Sequence, residues 1–170
     1  LRVNPDRNAY DAVYTWRECH SGGVRLSPRY AHGSIFFSPS DTIFVYGGFS
    51  SGSGGVVPSE ELWMLISYHK KTDQTRWEQV MAVSAKPDAR AYHSMWLSGF
   101  QFVIHGGQGE GGDGISSVYG DTWSFDIYNL VWMQFGTSDA VPLASHLAVV
   151  SATDTIAVSF GGKGGNSVPL

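Results

Sequence analysis

Short apolar stretches punctuate this chain, and three of them end in a glycine pair. Thr42-Ile43-Phe44-Val45-Tyr46 runs into Gly47-Gly48, and Phe102-Val103-Ile104-His105 runs into Gly106-Gly107. Ile156-Ala157-Val158-Ser159-Phe160 runs into Gly161-Gly162. The doublets lie 59 and 55 residues apart. A fixed period of that size marks an array of similar units. Each run is apolar on both alternating faces, which suits a strand covered by sheet on both sides. The glycines let the chain leave the strand through angles a side chain would forbid.

Other residues keep the same step. Trp16, Trp77 and Trp132 each open a short strand-like run, and Arg29 and Arg90 follow the first two by 13 residues. His32 and His93 come three residues after their arginines, whereas Leu143 stands three before His146. A further strand follows each glycine pair: Glu61-Leu62-Trp63-Met64-Leu65 and Asp121-Thr122-Trp123-Ser124-Phe125-Asp126. Leu1-Arg2-Val3 precedes Trp16 by the same 15 residues that separate Leu62 from Trp77. The pattern predicts twelve strands and no helix, since a period of 3.6 is absent. Residues 1–20 are expected to supply strands 3–4 of one unit, 28–81 and 89–136 two full four-stranded units, and 143–170 strands 1–2 of another. The glycine- and serine-rich connections 49–59 and 108–120 are expected to be mobile loops.

The ordered set Arg-x-x-His, apolar strand, Gly-Gly, Asp-x-Trp-x-x-Asp and downstream Trp resembles the kelch-repeat family. Arg90, His93, Gly106-Gly107, Asp121, Trp123, Asp126 and Trp132 carry it best. Departures are Leu143 for arginine, Glu61 for aspartate, and no acid after Trp63 corresponding to Asp126. The resemblance implies an all-β fold: four-stranded antiparallel blades of a β-propeller. Twelve strands make three blades, and rings close with about four to eight, so a fragment of a longer propeller is expected, with other blades of the same ring implied.

Composition narrows the function classes. Hydrophobic residues make up 42% of the 170 residues and charged ones 15%, which favours a packed core over disorder. A formal charge of −4 argues against a nucleic-acid groove, which needs a basic face. No apolar run reaches the roughly 18 residues of a membrane span. Cys19 is the only cysteine, and no Asn-x-Ser/Thr sequon occurs, so the chain leans toward an intracellular, cytoplasmic setting.

Candidate chemistry is sparse. His32, His93 and His146 invite a metal reading, but adjacent sheets stack about 10 Å apart, and the resemblance implies a structural role for this histidine. Structural pairing of Arg29 and Arg90 with an acid of their own or a neighbouring blade, Glu61 or Asp121 being candidates, is preferred to ligand contact, although kelch proteins use arginines near the channel mouth for acidic peptides. The repeated tryptophans are read as wedge fillers between blades and Trp96 as core. His105 faces strand neighbours without an acid or nucleophile near it in sequence. Cys19-His20 point to opposite faces of a strand, so a dyad is unsupported. Glu110 and Asp113 supply too few oxygens for calcium. No catalytic, cofactor-binding or metal-binding residue is assigned.

An antiparallel meander puts connections 2–3 and 4–1 on one rim, which therefore receives the long loops. Val56, Val57, Glu110, Asp113 and Ile115 lie there and are the candidate partner contacts, with Arg29 and Arg90 as the minority addition. The resemblance implies a non-catalytic protein-interaction scaffold. Its rivals are a kelch-fold enzyme of the sugar-oxidase or sialic-acid mutarotase type, and a packing module in a large assembly.

Overall fold

The alternating run before each glycine doublet becomes the second strand of an antiparallel sheet. In the first blade Thr42–Tyr46 lies between Gly33–Phe37 and Leu62–His69, with Gln74–Val80 outside. In the second, Ser94–Ser98, Gln101–His105, Thr122–Asp126 and Val131–Gln134 repeat that order. Leu147–Val150 and Ala157–Phe160 form the hairpin of a third. The computed structural model describes residues 21–52, 55–69, 74–110, 116–135, 141–151, 153 and 156–164. The readings placed on residues 1–20 (Leu1-Arg2-Val3, Trp16 and Cys19-His20 among them), on Asp113 and Ile115, and on 165–170 lie outside the described residues. Among those described there is no α-helix, and none long and apolar enough to cross a membrane.

Register fixes which side chains meet between blades. Tyr46 and Phe44 lie on one face of their strand and reach the second blade, with ring centroids 5.1 Å from Trp132 and 5.6 Å from Phe102. Phe102 in turn stacks on Phe125 at 5.0 Å and meets Trp132 edge-on. These rings, with Phe37, Leu62, Val80 and Ile104, form one buried cluster across the joint. Burying each such ring stabilises by about 2–3 kcal/mol. Trp132 therefore fills the wedge as its repeat position implied. Trp77 occupies the equivalent register, opposite Leu65 where Trp132 is opposite Phe125. Trp96 is half-buried rather than core, opposite Val103.

The blade-to-blade connectors carry a feature the pattern did not announce. Ser21–Gly23 runs parallel to the first blade's outer strand, with Gly23 opposite Trp77. Ser84, seven residues after Trp77 as Gly23 is after Trp16, takes the same place beside Trp132. Its hydroxyl accepts from the Trp132 N–H at 2.8 Å and donates to the Trp132 carbonyl at 3.2 Å. These two connectors thus cover the outer edge of the blade each leads into, an edge that would otherwise offer unpaired backbone groups. The buried Tyr46 hydroxyl ties the following turn down by donating to the Pro87 carbonyl at 3.0 Å.

The connections expected to be mobile loops are short β-hairpins instead. Phe49–Gly52 pairs with Gly55–Pro58, and Gln108–Glu110 with Ser116–Val118. The physical reason is that both hairpins start from a pinned base. Ser59 N–H donates to the Gly48 carbonyl at 2.9 Å and Tyr119 N–H to the Gly107 carbonyl at 2.8 Å. Phe49 also pairs with Tyr30, and Gln108 with Ala91. With these short strands counted, eighteen are present among the described residues.

The glycine doublet is the joint between blades. Gly48 N–H donates to the Arg90 carbonyl of the next blade at 2.9 Å, and Gly107 N–H to the Leu143 carbonyl at 2.7 Å. Arg90 N–H answers to Ser59 and Leu143 N–H to Tyr119, each at 3.1 Å. A second chain of bonds runs from Ser145 N–H to the Tyr92 carbonyl and from Tyr92 N–H to the Ala31 carbonyl, each 2.9 Å. All three of those residues hold φ between 56° and 58°. A Cβ on Gly47, at φ 66°, would collide with the Arg90 carbonyl oxygen. We expect Gly47→Ala to destabilise the chain by about 2–4 kcal/mol, from left-handed strain plus overpacking. Gly99→Ala, at φ 57° in open space, should cost about 1–2 kcal/mol, from strain alone. Urea unfolding of both variants measures the difference, and equal losses would refute the joint's steric role.

Candidate functional site

The repeated polar residues converge just inside the long-loop rim and are spent on one another. Arg90 Nη1 donates to Asp121 Oδ1 at 2.6 Å and to the Gly106 carbonyl at 3.0 Å. Its Nη2 reaches Asp121 Oδ2 at 2.8 Å and its Nε the Asp88 carbonyl at 3.0 Å. The Trp123 indole N–H donates to the same carboxylate at 2.6 Å. Tyr119 lies under the guanidinium, 4.3 Å from its ring centroid. In the first blade Arg29 reaches Glu61 at 2.7 Å and the Gly47 carbonyl at 3.0 Å, while Trp63 donates to Glu61 at 3.1 Å. Glutamate in place of aspartate therefore keeps the arginine, carbonyl and indole contacts of the cluster.

Electrostatics follow from those partners. Burial pushes the Asp121 carboxyl upward, but the Arg90 hydrogen bond and charge and the Trp123 hydrogen bond win, leaving it below the ordinary aspartate value. Glu61 shows the same contest with Arg29, Trp63 and Ser59, and the same outcome. The Arg29 and Arg90 side chains are 2% and 0% exposed, so neither reaches a partner. The minority reading of these arginines as partner contacts is corrected on that ground: their donors already serve the fold.

The histidines also belong to the joints. His93 packs edge-on against Tyr46 at 5.6 Å, and its Cβ sits against Gly107. Neither of its ring nitrogens has a hydrogen-bond partner, and its pKa is lowered to about 3 by burial and then by the Arg90 charge. His146 Nε2 lies 2.7 Å from the Ser94 hydroxyl, and burial together with neighbouring His105 lowers its pKa to about 4. His105 keeps its strand neighbour, with Nδ1 2.9 Å from the Thr122 hydroxyl. Among the described residues no three His, Cys, Asp or Glu gather to hold a metal ion.

One exposed apolar group on the rim lies on the first blade's hairpin. Val56 is 53% exposed and Val57 38%. Tyr30 stacks on Phe49 at 5.2 Å, and Tyr92 of the second blade meets Phe49 edge-on at 5.9 Å. The structure thus puts Val56 on the same face as an aromatic ledge that sequence reasoning missed, with Val57 on the other face of the hairpin. Tyr30 and Tyr92 sat within the Arg-x-x-His spacing, but nothing in the order of residues showed that they meet across a joint. Glu110 is exposed on the second hairpin, apart from that ledge.

Comparison with known proteins places the chain. Residues 10–168 match the KLHDC2/KLHL20/DRC7 Kelch-repeats domain. Multiple epidermal growth factor-like domains protein 8 of Rattus norvegicus is 28% identical over 101 residues, 59% of this chain and 4% of that protein. Its Mus musculus counterpart is 28% identical over 99 residues, 58% of this chain and 3% of that one. The chain thus spans only a few per cent of the length of these curated relatives. The solved structure of YjhT superposes with a TM-score of 0.61 at 18% identity, covering 82% of this chain and 36% of that one. At that identity the likeness shows fold alone.

Two predictions follow from the buried polar groups. Arg90→Ala should cost about 3–5 kcal/mol by stranding the Asp121 carboxylate, read as a drop in urea midpoint; a loss under about 1 kcal/mol would mean the pair is solvated. Because His93 and His146 titrate lower in the folded chain than the roughly 6.5 of an unfolded histidine, the unfolded chain takes up protons that the folded one refuses. Their contribution is complete above about pH 6.5 and is lost as pH falls toward the folded values. The urea midpoint should therefore drop between about pH 7 and pH 5, before the carboxylates titrate, and less so in His146→Gln. A flat profile across that range would contradict the buried neutral imidazoles.

Proposed function

This chain belongs to the kelch-repeat family, and on that premise we propose that it is a non-catalytic protein-interaction scaffold binding a partner protein through the long-loop rim. Kelch domains generally mediate protein interactions, which is the coarse support. The observation that carries the reading is the exposed apolar hairpin surface on a rim whose repeated polar residues are otherwise consumed. Val56 and Val57 stand out from a hairpin pinned at its base, so the surface is presented rather than trailing. Exposed aliphatic and aromatic side chains grouped on one rim are the composition of an interface core.

Further blades of the same ring complete the scaffold in this reading. On the third hairpin Leu147, Val149, Val158 and Phe160 are all exposed. Their counterparts by register in the first blade are Gly33, Ile35, Phe44 and Tyr46, and the second blade lies on that face. A following blade covers the third face in the same way.

Replacing Val56 and Val57 together by Asp should abolish capture of the partner while leaving the thermal midpoint within about 2 °C, because exposed sites contribute little to stability. Capture that survives the double substitution would remove the hairpin from the interface.

A further inference from the structure

The repeat supplies its own control for what the fold requires at the rim. By register Val56, Val57 and Pro58 of the first hairpin match Ser116, Ser117 and Val118 of the second. Tyr30 and Phe49 match Ala91 and Gln108, the pair at each hairpin base. Tyr92, which leans on Phe49, matches Ser145 at the next joint, where φ is again 58°. The second hairpin forms with small and polar residues at nearly all these places, so folding does not demand the apolar set of the first. Something other than the fold accounts for exposing valine and tyrosine there.

The same hairpin offers backbone as well as side chains. The small sheet runs Arg29–Tyr30, Phe49–Gly52, Gly55–Pro58, and the last strand is an edge. Ser59 N–H bonds inward to Gly48, and bonding direction alternates along a strand. Val57 therefore faces its partner strand, and the N–H and C=O of Val56 and the C=O of Pro58 point outward. Tyr30, Phe49, Val56 and Pro58 share one face by the same alternation, with Tyr92 beside Phe49. None of these residues is charged. Five side chains are far fewer than the 20–30 residues a folded partner presents to a standard interface, but they suit a short segment.

We propose that this edge takes an uncharged, extended segment of the partner protein as an added antiparallel strand. The segment pairs with Val56 through both backbone bonds and lays an apolar or aromatic side chain on the ledge of Tyr30, Phe49 and Tyr92. Backbone pairing supplies affinity, and the ledge selects the side chain at alternate positions. Pro58, lacking an N–H, limits the pairing to one register and blunts the edge against pairing with other copies of itself. This inference rests on the long-loop rim being the binding rim.

The test uses a displayed library of short random peptides panned on the whole chain. The selected peptides should be uncharged with alternating β-branched or aromatic residues. Val56→Pro keeps an apolar side chain and the inward bonds but removes the outward donor, so affinity should fall about ten-fold. Tyr92→Asn, which tolerates the left-handed backbone, should weaken binding similarly. Methylating one backbone nitrogen of a selected peptide should do the same with the protein untouched, which guards against a variant that misfolds. Peptides whose binding ignores Val56→Pro and backbone methylation but is lost in Glu110→Lys would overturn strand addition and leave the rim assignment standing. Binding insensitive to all the rim substitutions would overturn both, and a library yielding no binder would overturn strand addition.

Discussion

The structure depends on a backbone contact at the joint between blades. A glycine N–H of one blade meets the carbonyl that precedes the next blade's innermost strand, at 2.9 Å in the first joint and 2.7 Å in the second. That contact is possible only because no Cβ stands in the way. A buried N–H left without its acceptor costs about 1–3 kcal/mol, so the joint holds position as well as adding stability. The left-handed residues Ala31, Tyr92 and Ser145 extend the bonding from blade to blade. Because the bonds are backbone bonds, Leu143 stands where the other blades have arginine and the second joint still closes.

The arginine, acid and tryptophan cluster is a second layer built on that joint. The guanidinium binds the carbonyl of the first glycine, and the acid it holds stands just before the third strand. One side chain therefore ties the start of the blade to its middle. Asp126 does analogous work at the opposite rim, accepting from the Tyr128 and Asn129 N–H groups at 2.9 Å to hold a tight turn. The first blade has Ile66 at the matching register, and its strands run on past it to His69 and Gln74. The imidazoles fill the joint as neutral rings, which ties packing between blades to pH.

Repetition also separates residues by role. Positions that recur with the same chemistry are engaged within the molecule, down to atoms: Arg29 and Arg90 bind the equivalent carbonyls of Gly47 and Gly106, and both acids accept from an indole. Positions that lie in the same place but differ in chemistry, such as Val56 and Ser116, are released from the fold's demands. The connectors seal the outer edges beside Trp77 and Trp132, and the first hairpin's strand at Gly55–Pro58 is an edge on the long-loop rim.

The blade repeat, the four-strand order, the placing of tryptophan in the wedge and the preference for internal arginine pairs were legible from the sequence. They rest on period, alternation and glycine conformation, all of which are local or recur at fixed spacing. The hairpins in the glycine- and serine-rich connections were not, because their order comes from bonds to Gly48 and Gly107 and to the strand leading in, which composition does not encode. Nor were the parallel run of Ser21–Gly23 along the first blade and the meeting of Tyr30, Phe49 and Tyr92. Those are contacts between segments far apart in the chain, and only the angle at which one blade docks on the next decides them. Sequence alone determined what each blade is; docking of blade on blade decided which surface is left exposed.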